Sequence, residues 1–120
     1  CTHCGDHHGR PEIDRFRASI SHAGGIAVVA LAPREAVASL GIDTEPHGAL
    51  PDEAKLLEWV SREAILKADG RGLRGLVPID LDIQNNGGSA VVRDSGRNYH
   101  LTRVLIPAAT TVLAVEVHPS

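Results

Sequence analysis

The sequence predicts an α+β fold in which an antiparallel sheet is packed around one long helix. Three observations predict it. Hydrophobic residues make up 42% of the 120-residue chain, enough for a core. Strand-length apolar or alternating runs recur along it, separated by Gly, Pro and Asn turn signals. One long stretch, residues 51–68, reads instead as a helix. At this length the simplest organisation is one domain, 1–120, with neither internal repeat nor linker.

The elements follow in chain order. Residues 1–13 are polar, His-rich and irregular. Residues 16–22 and 26–32 are two apolar runs joined by Ala23-Gly24-Gly25, the pattern of a hairpin. Pro33-Arg34-Glu35 turns the chain into a third strand, 37–45. There Val37, Ser39, Gly41 and Asp43 share one face, opposite Leu40 and Ile42. Pro46-His47-Gly48 ends that strand. In the helix, Pro51 is tolerated in the first turn, and Asp52 and Glu53 suit the positive end of the dipole. Leu56, Leu57, Val60, Ala64 and Leu66 supply its apolar surface, and Gly70 and Gly72 are stop signals. Alternation over 79–84 predicts a half-buried strand, and Asn85-Asn86-Gly87-Gly88 a turn. Strands over 90–93, 99–106 and 111–118 complete the chain.

Composition narrows the function. The aromatic residues are Phe16, Trp59 and Tyr99 and there is no Met, so the core is built from Ala, Val, Ile and Leu. A formal charge of −3 gives no basic footprint, and nucleic acid is not an expected partner. No apolar run approaches the roughly 18 residues of a membrane span, and no signal peptide opens the chain. Cys1 and Cys4 are too close together to staple a fold, so a reducing, cytoplasmic setting is expected. The chain opens on Cys1 rather than Met, as expected of a fragment or of a processed or trimmed chain.

Two stretches carry the chemistry. In Gly41-Ile42-Asp43-Thr44-Glu45 the carboxylates are two apart, so a strand aims both at one spot. In Trp59-Val60-Ser61-Arg62-Glu63-Ala64-Ile65-Leu66-Lys67, Glu63 and Lys67 are four apart and share a helical face. Asp43, Glu45 and Glu63 together would make an oxygen site for Mg²⁺ with room for substrate phosphates. The bland alternatives are a solvated strand end for Asp43 and Glu45, and a surface ion pair for Glu63 and Lys67. Cys1-x-x-Cys4 with His3, His7 and His8 leaves a mixed zinc site open, without a second pair at finger spacing. The 70–75 stretch lacks the Lys-Ser/Thr ending of a phosphate-binding P-loop.

The order of motifs is Cys1-Thr2-His3-Cys4-Gly5-Asp6-His7-His8-Gly9-Arg10-Pro11, Ser19-Ile20-Ser21-His22-Ala23-Gly24, the Gly41 to Glu45 strand, the Trp59 to Lys67 helix, then Gly70-Arg71-Gly72-Leu73. This series resembles the 4'-phosphopantetheinyl transferases that activate peptide and polyketide synthetases. Smaller holo-acyl-carrier-protein synthases share the Asp and Glu-Ala-x-x-Lys elements, with their Ser-His element last. The resemblance covers about the whole chain and implies a single half of a paired fold. It implies Mg²⁺-dependent transfer of the phosphopantetheine arm of coenzyme A to a serine of an acyl or peptidyl carrier protein, releasing 3',5'-ADP, in secondary-metabolite biosynthesis. It further implies Asp43, Glu45 and Glu63 as metal ligands, Glu63 and Lys67 as catalytic residues, and Arg10, Ser21, His22 and Lys67 as coenzyme A contacts. For His22 a structural role, and for Arg10 ordinary surface charge, stay open.

The chain departs from that family in two ways. The first half of the paired enzyme is absent, which should expose apolar surface; a two-fold homodimer is expected to cover it. Only 13 residues, 46–58, separate Glu45 from Trp59, where the family has a longer segment that shapes the carrier site. Two alternatives stand beside the enzyme. One is a non-catalytic coenzyme A or carrier-protein binding module, or truncated remnant; the other is a small zinc-binding or assembly domain.

Overall fold

The computed structural model describes residues 12–13, 15–70, 80–93 and 95–118. Arg10, Cys1, Cys4, Gly72 and Ile79 lie outside the described residues.

Among the described residues, eight strands and one α-helix form an α+β structure, and every strand pairing is antiparallel. The strands divide into two sheets rather than one. β1 (Glu12–Ile13), β2 (Phe16–Ala23) and β3 (Ile26–Pro33) make the first, in that order. β4 (Ser39–Pro46), β5 (Leu81–Gln84), β6 (Ser89–Val92), β7 (Arg97–Ile106) and β8 (Ala109–Glu116) make the second, in the order β4-β8-β7-β6-β5. The expected hairpin is present with Gly24 and Gly25 in its turn. The other expected strands fall within two residues of their places, while β1 lies in the stretch expected to be irregular, pairing Glu12 with Arg17 and Ile13 with Phe16.

α1 (Glu53–Asp69) lies on one face of the five-stranded sheet. The Asp52 side chain caps it, accepting from the backbone N–H groups of Ala54 at 2.9 Å and Lys55 at 3.4 Å. Gly70 ends it at φ 83, the left-handed conformation glycine adopts at no steric cost. Between these ends, Leu56, Val60, Ala64 and Ala68 repeat every four residues and are buried. They meet Ala90, Val92, Tyr99, Leu101, Val112 and Ala114 of the sheet. With Ala and Val dominating, elements approach closely, and Gly41 marks the closest point. A Cβ there would collide with the Ala64 carbonyl oxygen and the Ala68 amide nitrogen.

The two sheets meet without a backbone ladder. β4 is an edge strand, and its free edge is satisfied by side chains of β2. Ile42 N–H donates to Ser19 Oγ at 3.0 Å and Thr44 N–H to Ser21 Oγ at 3.1 Å. Arg17 Nε donates to the Val37 carbonyl at 3.0 Å. Alternation in β2 puts Arg17, Ser19 and Ser21 on the inward face and Phe16, Ile20 and His22 on the outward one.

Candidate functional site

The helix, β2 and β4 converge where Gly41 lets α1 sit against the strand. Two residues beyond Gly41 on the same face, Asp43 meets Lys67 of the helix, with Oδ1 and Nζ 3.2 Å apart. Asp43 is 5% exposed, so the solvated strand end is excluded for this residue. Ser21 donates to the same Oδ1 at 3.3 Å. The second oxygen, Oδ2, is buried and has no hydrogen-bond partner.

An unpartnered buried carboxylate oxygen is costly and calls for an explanation. Burial pushes the Asp43 carboxyl above its ordinary range, with Lys67, Ser21 and the Thr44 backbone pulling the other way. Glu45 and Glu63 are half-buried, and both are also pushed upward. Burial is the largest cause for each, and the charge of Asp43 is the next. Glu63 feels the charge of Glu45 as well. The charge of Asp43 thus reaches both glutamates, and the like charges repel one another.

Lys67 does not form the surface i, i+4 pair with Glu63 weighed as the bland alternative, and reaches across to β4 instead. An ammonium has three donors. Those of Lys67 face the Ile20 carbonyl at 3.2 Å, the Ile42 carbonyl at 3.1 Å and Asp43 Oδ1 at 3.2 Å. It is the bolt joining β2, β4 and α1. Ser21 is likewise engaged, turned inward to Asp43 and the Thr44 amide. His22 is exposed on the other face of β2. Arg10 lies outside the described residues, so three elements supply the described cluster.

Among the described residues, no group of three or more His, Cys, Asp or Glu side chains is arranged to hold a metal ion as it stands. The donor chemistry nonetheless fits a hard cation. Three carboxylates supply oxygen only, and Asp43 Oδ2 lacks any protein partner. Glu45 and Glu63 take no part in the contacts that fix Asp43, so they would have to turn toward it.

Sequence reasoning missed Ser19 and the inward role of Ser21. The signal was present: Ser19-x-Ser21 alternates with the same period as Gly41-x-Asp43. It also missed a second buried carboxylate. Asp69, at the end of α1, is bound by Arg97 Nη1 at 3.0 Å and the Tyr99 hydroxyl at 3.2 Å. No helix of the described residues is long and apolar enough to cross a membrane.

A scan against protein-family models matches none to this chain, and a search of curated proteins finds no match.

Proposed function

We propose that this chain is one half of a phosphopantetheinyl-transferase-type fold, acting as a 4'-phosphopantetheinyl transferase (holo-[acyl-carrier-protein] synthase activity). It would move the phosphopantetheine arm of coenzyme A to a carrier-protein serine with Mg²⁺. The observation that carries this reading is the buried, unpartnered Asp43 Oδ2 beside two carboxylates pushed upward by burial and then by its charge.

Asp43, Glu45 and Glu63 would hold Mg²⁺. When bound, the ion would neutralise pyrophosphate charge and act as a Lewis acid. Ser21 and Lys67 orient Asp43 by fixing Oδ1 and leaving Oδ2 free. Glu63 is the base candidate, directly or through a water. In the step, the serine Oγ forms a bond to the β-phosphorus of coenzyme A. The bond from that phosphorus to the bridging oxygen breaks, 3',5'-ADP leaves, and the serine proton goes to Glu63. Lys67 contributes a fixed positive charge beside the phosphates rather than a free donor. His22, exposed at the end of β2, and Arg10 are the further coenzyme A contacts in this reading.

The full commitment of Lys67 to protein oxygens favours a second reading, a coenzyme A or carrier-protein binding module without transferase activity. Mass spectrometry of an apo carrier protein incubated with the chain, coenzyme A and Mg²⁺, against an EDTA control, separates the two. A metal-dependent phosphopantetheine gain on the carrier serine is expected. Retention of coenzyme A or carrier with no mass gain would establish the binding module instead.

A further inference from the structure

Trp59 is the one tryptophan of the chain, and on α1 it is 48% exposed. Tryptophan is highly buried on average, because its ring carries a large apolar area. Its place on the helix is specific. Trp59, Glu63 and Lys67 are four apart in turn, so they form one stripe. That stripe belongs to the carboxylate cluster: Lys67 meets Asp43 at 3.2 Å, and Glu63 feels the charges of Asp43 and Glu45. The core stripe is a different one, Leu56, Val60, Ala64 and Ala68. The chain leaves β4 at Pro46 and enters α1 at Glu53, so the helix starts near the end of the strand. From Glu63 to Trp59 is one turn toward that start, about 6 Å along the axis. Trp59 therefore stands at the open end of the cluster, past the last carboxylate of β4.

We propose that Trp59 is a docking residue for the carrier protein, packing its ring on an apolar side chain next to the acceptor serine. This rests on the transferase reading, which sets an order along the stripe. Lys67 holds its charge beside the diphosphate, and Glu63 takes the proton of the serine. One turn beyond Glu63, Trp59 falls where the polypeptide flanking that serine would lie, since about two residues of extended chain span the same distance. Charge favours the carrier over coenzyme A as what meets the ring. Glu45 and Glu63 put negative charge on that side of the site, which repels the phosphorylated adenosine end of coenzyme A and leaves an apolar side chain unaffected. Tryptophan is also among the residues that carry most of the binding energy at protein interfaces.

Steady-state transfer to an apo acyl carrier protein, with coenzyme A and Mg²⁺, tests this. Trp59→Ala should raise KM for the carrier at least about tenfold and leave KM for coenzyme A within about twofold. Trp59→Phe, which keeps a ring, should recover most of the loss. Fluorescence supplies an arm without substitutions, because Trp59 is the only tryptophan. The apo carrier should shift its emission, and coenzyme A with Mg²⁺ alone should not. An unchanged carrier KM in folded Trp59→Ala would overturn the docking role while leaving the transferase reading intact. A rise in KM for coenzyme A instead, or an emission shift with coenzyme A and Mg²⁺ alone, would overturn it and assign the ring to coenzyme A. A native chain that transfers nothing loses the transferase reading; a carrier-induced emission shift would then still support docking, and no shift would overturn both.

Discussion

Asp43 on β4 and Asp69 at the end of α1 are aspartates with buried side chains, and they are provided for in opposite ways. The Asp69 side chain is 3% exposed and that of Asp43 8%. Asp69 receives Arg97 and the Tyr99 hydroxyl, and no oxygen of it is left buried without a partner. Around it, burial and the charges of Asp69 and Glu116 push the Tyr99 hydroxyl up to about 12, so it stays a donor. Asp43 has Lys67 and Ser21 on one oxygen and nothing on the other. Glu45 and Glu63 add negative charge where Asp69 has Arg97. A carboxylate that only holds a fold together is built like Asp69. In the function proposed above, the one left incomplete among like charges is where a cation would bind.

That contrast can be broken by substitution. The largest expected effect is on chemistry: Glu63→Gln and Asp43→Asn should each lower carrier modification at least about a hundredfold, read by mass spectrometry. Folding should survive in Glu63→Gln, as circular dichroism would confirm; full activity in that variant would remove Glu63 from its role. Next is Gly41→Ala, which drives a methyl into helix backbone and should cost about 3 kcal/mol or more by urea denaturation. At the completed site, Tyr99→Phe removes one donor from a carboxylate that keeps Arg97. It should cost about 1–2 kcal/mol of stability and leave transfer per folded molecule unchanged.

The smallest effect concerns pH. The folded chain holds protons on Asp43, Glu45 and Glu63 more tightly than the unfolded chain, whose values lie near 3.8 for Asp and 4.5 for Glu. Their stabilising contribution is complete below those values and is lost as pH rises through the raised folded ones. Metal-free protein should therefore lose some stability between the ordinary carboxylate range and neutrality. Glu45→Gln/Glu63→Gln should flatten that fall and gain a few tenths of a kcal/mol at pH 7. A melting-temperature series against pH reads both.

Much of this was legible in the sequence because short-range rules govern it. Gly24-Gly25 marked the hairpin, Gly70 the helix end, and the i, i+2 spacing of Asp43 and Glu45 their place on one strand; Asp52, read as a first-turn residue, is instead the cap, so the helix starts at Glu53 rather than Pro51. Three features lay beyond those rules. The division into two sheets depends on Ser19 and Ser21 replacing a backbone ladder along β4, a contact between positions over 20 residues apart. Lys67 chose a partner on another element over the one four residues away. The Asp69–Tyr99 pair spans 30 residues, and neither residue stands in a recognisable motif.

The most direct measurement is the melting temperature of the native chain and of Asp43→Asn, each with and without millimolar Mg²⁺ and then EDTA. If the free oxygen of Asp43 and its neighbouring carboxylates form a cation site, Mg²⁺ raises the melting temperature of the native chain. EDTA then reverses the rise, and the folded Asp43→Asn protein shows none. No rise in the native chain, or an equal rise in both, would contradict a cation site at Asp43.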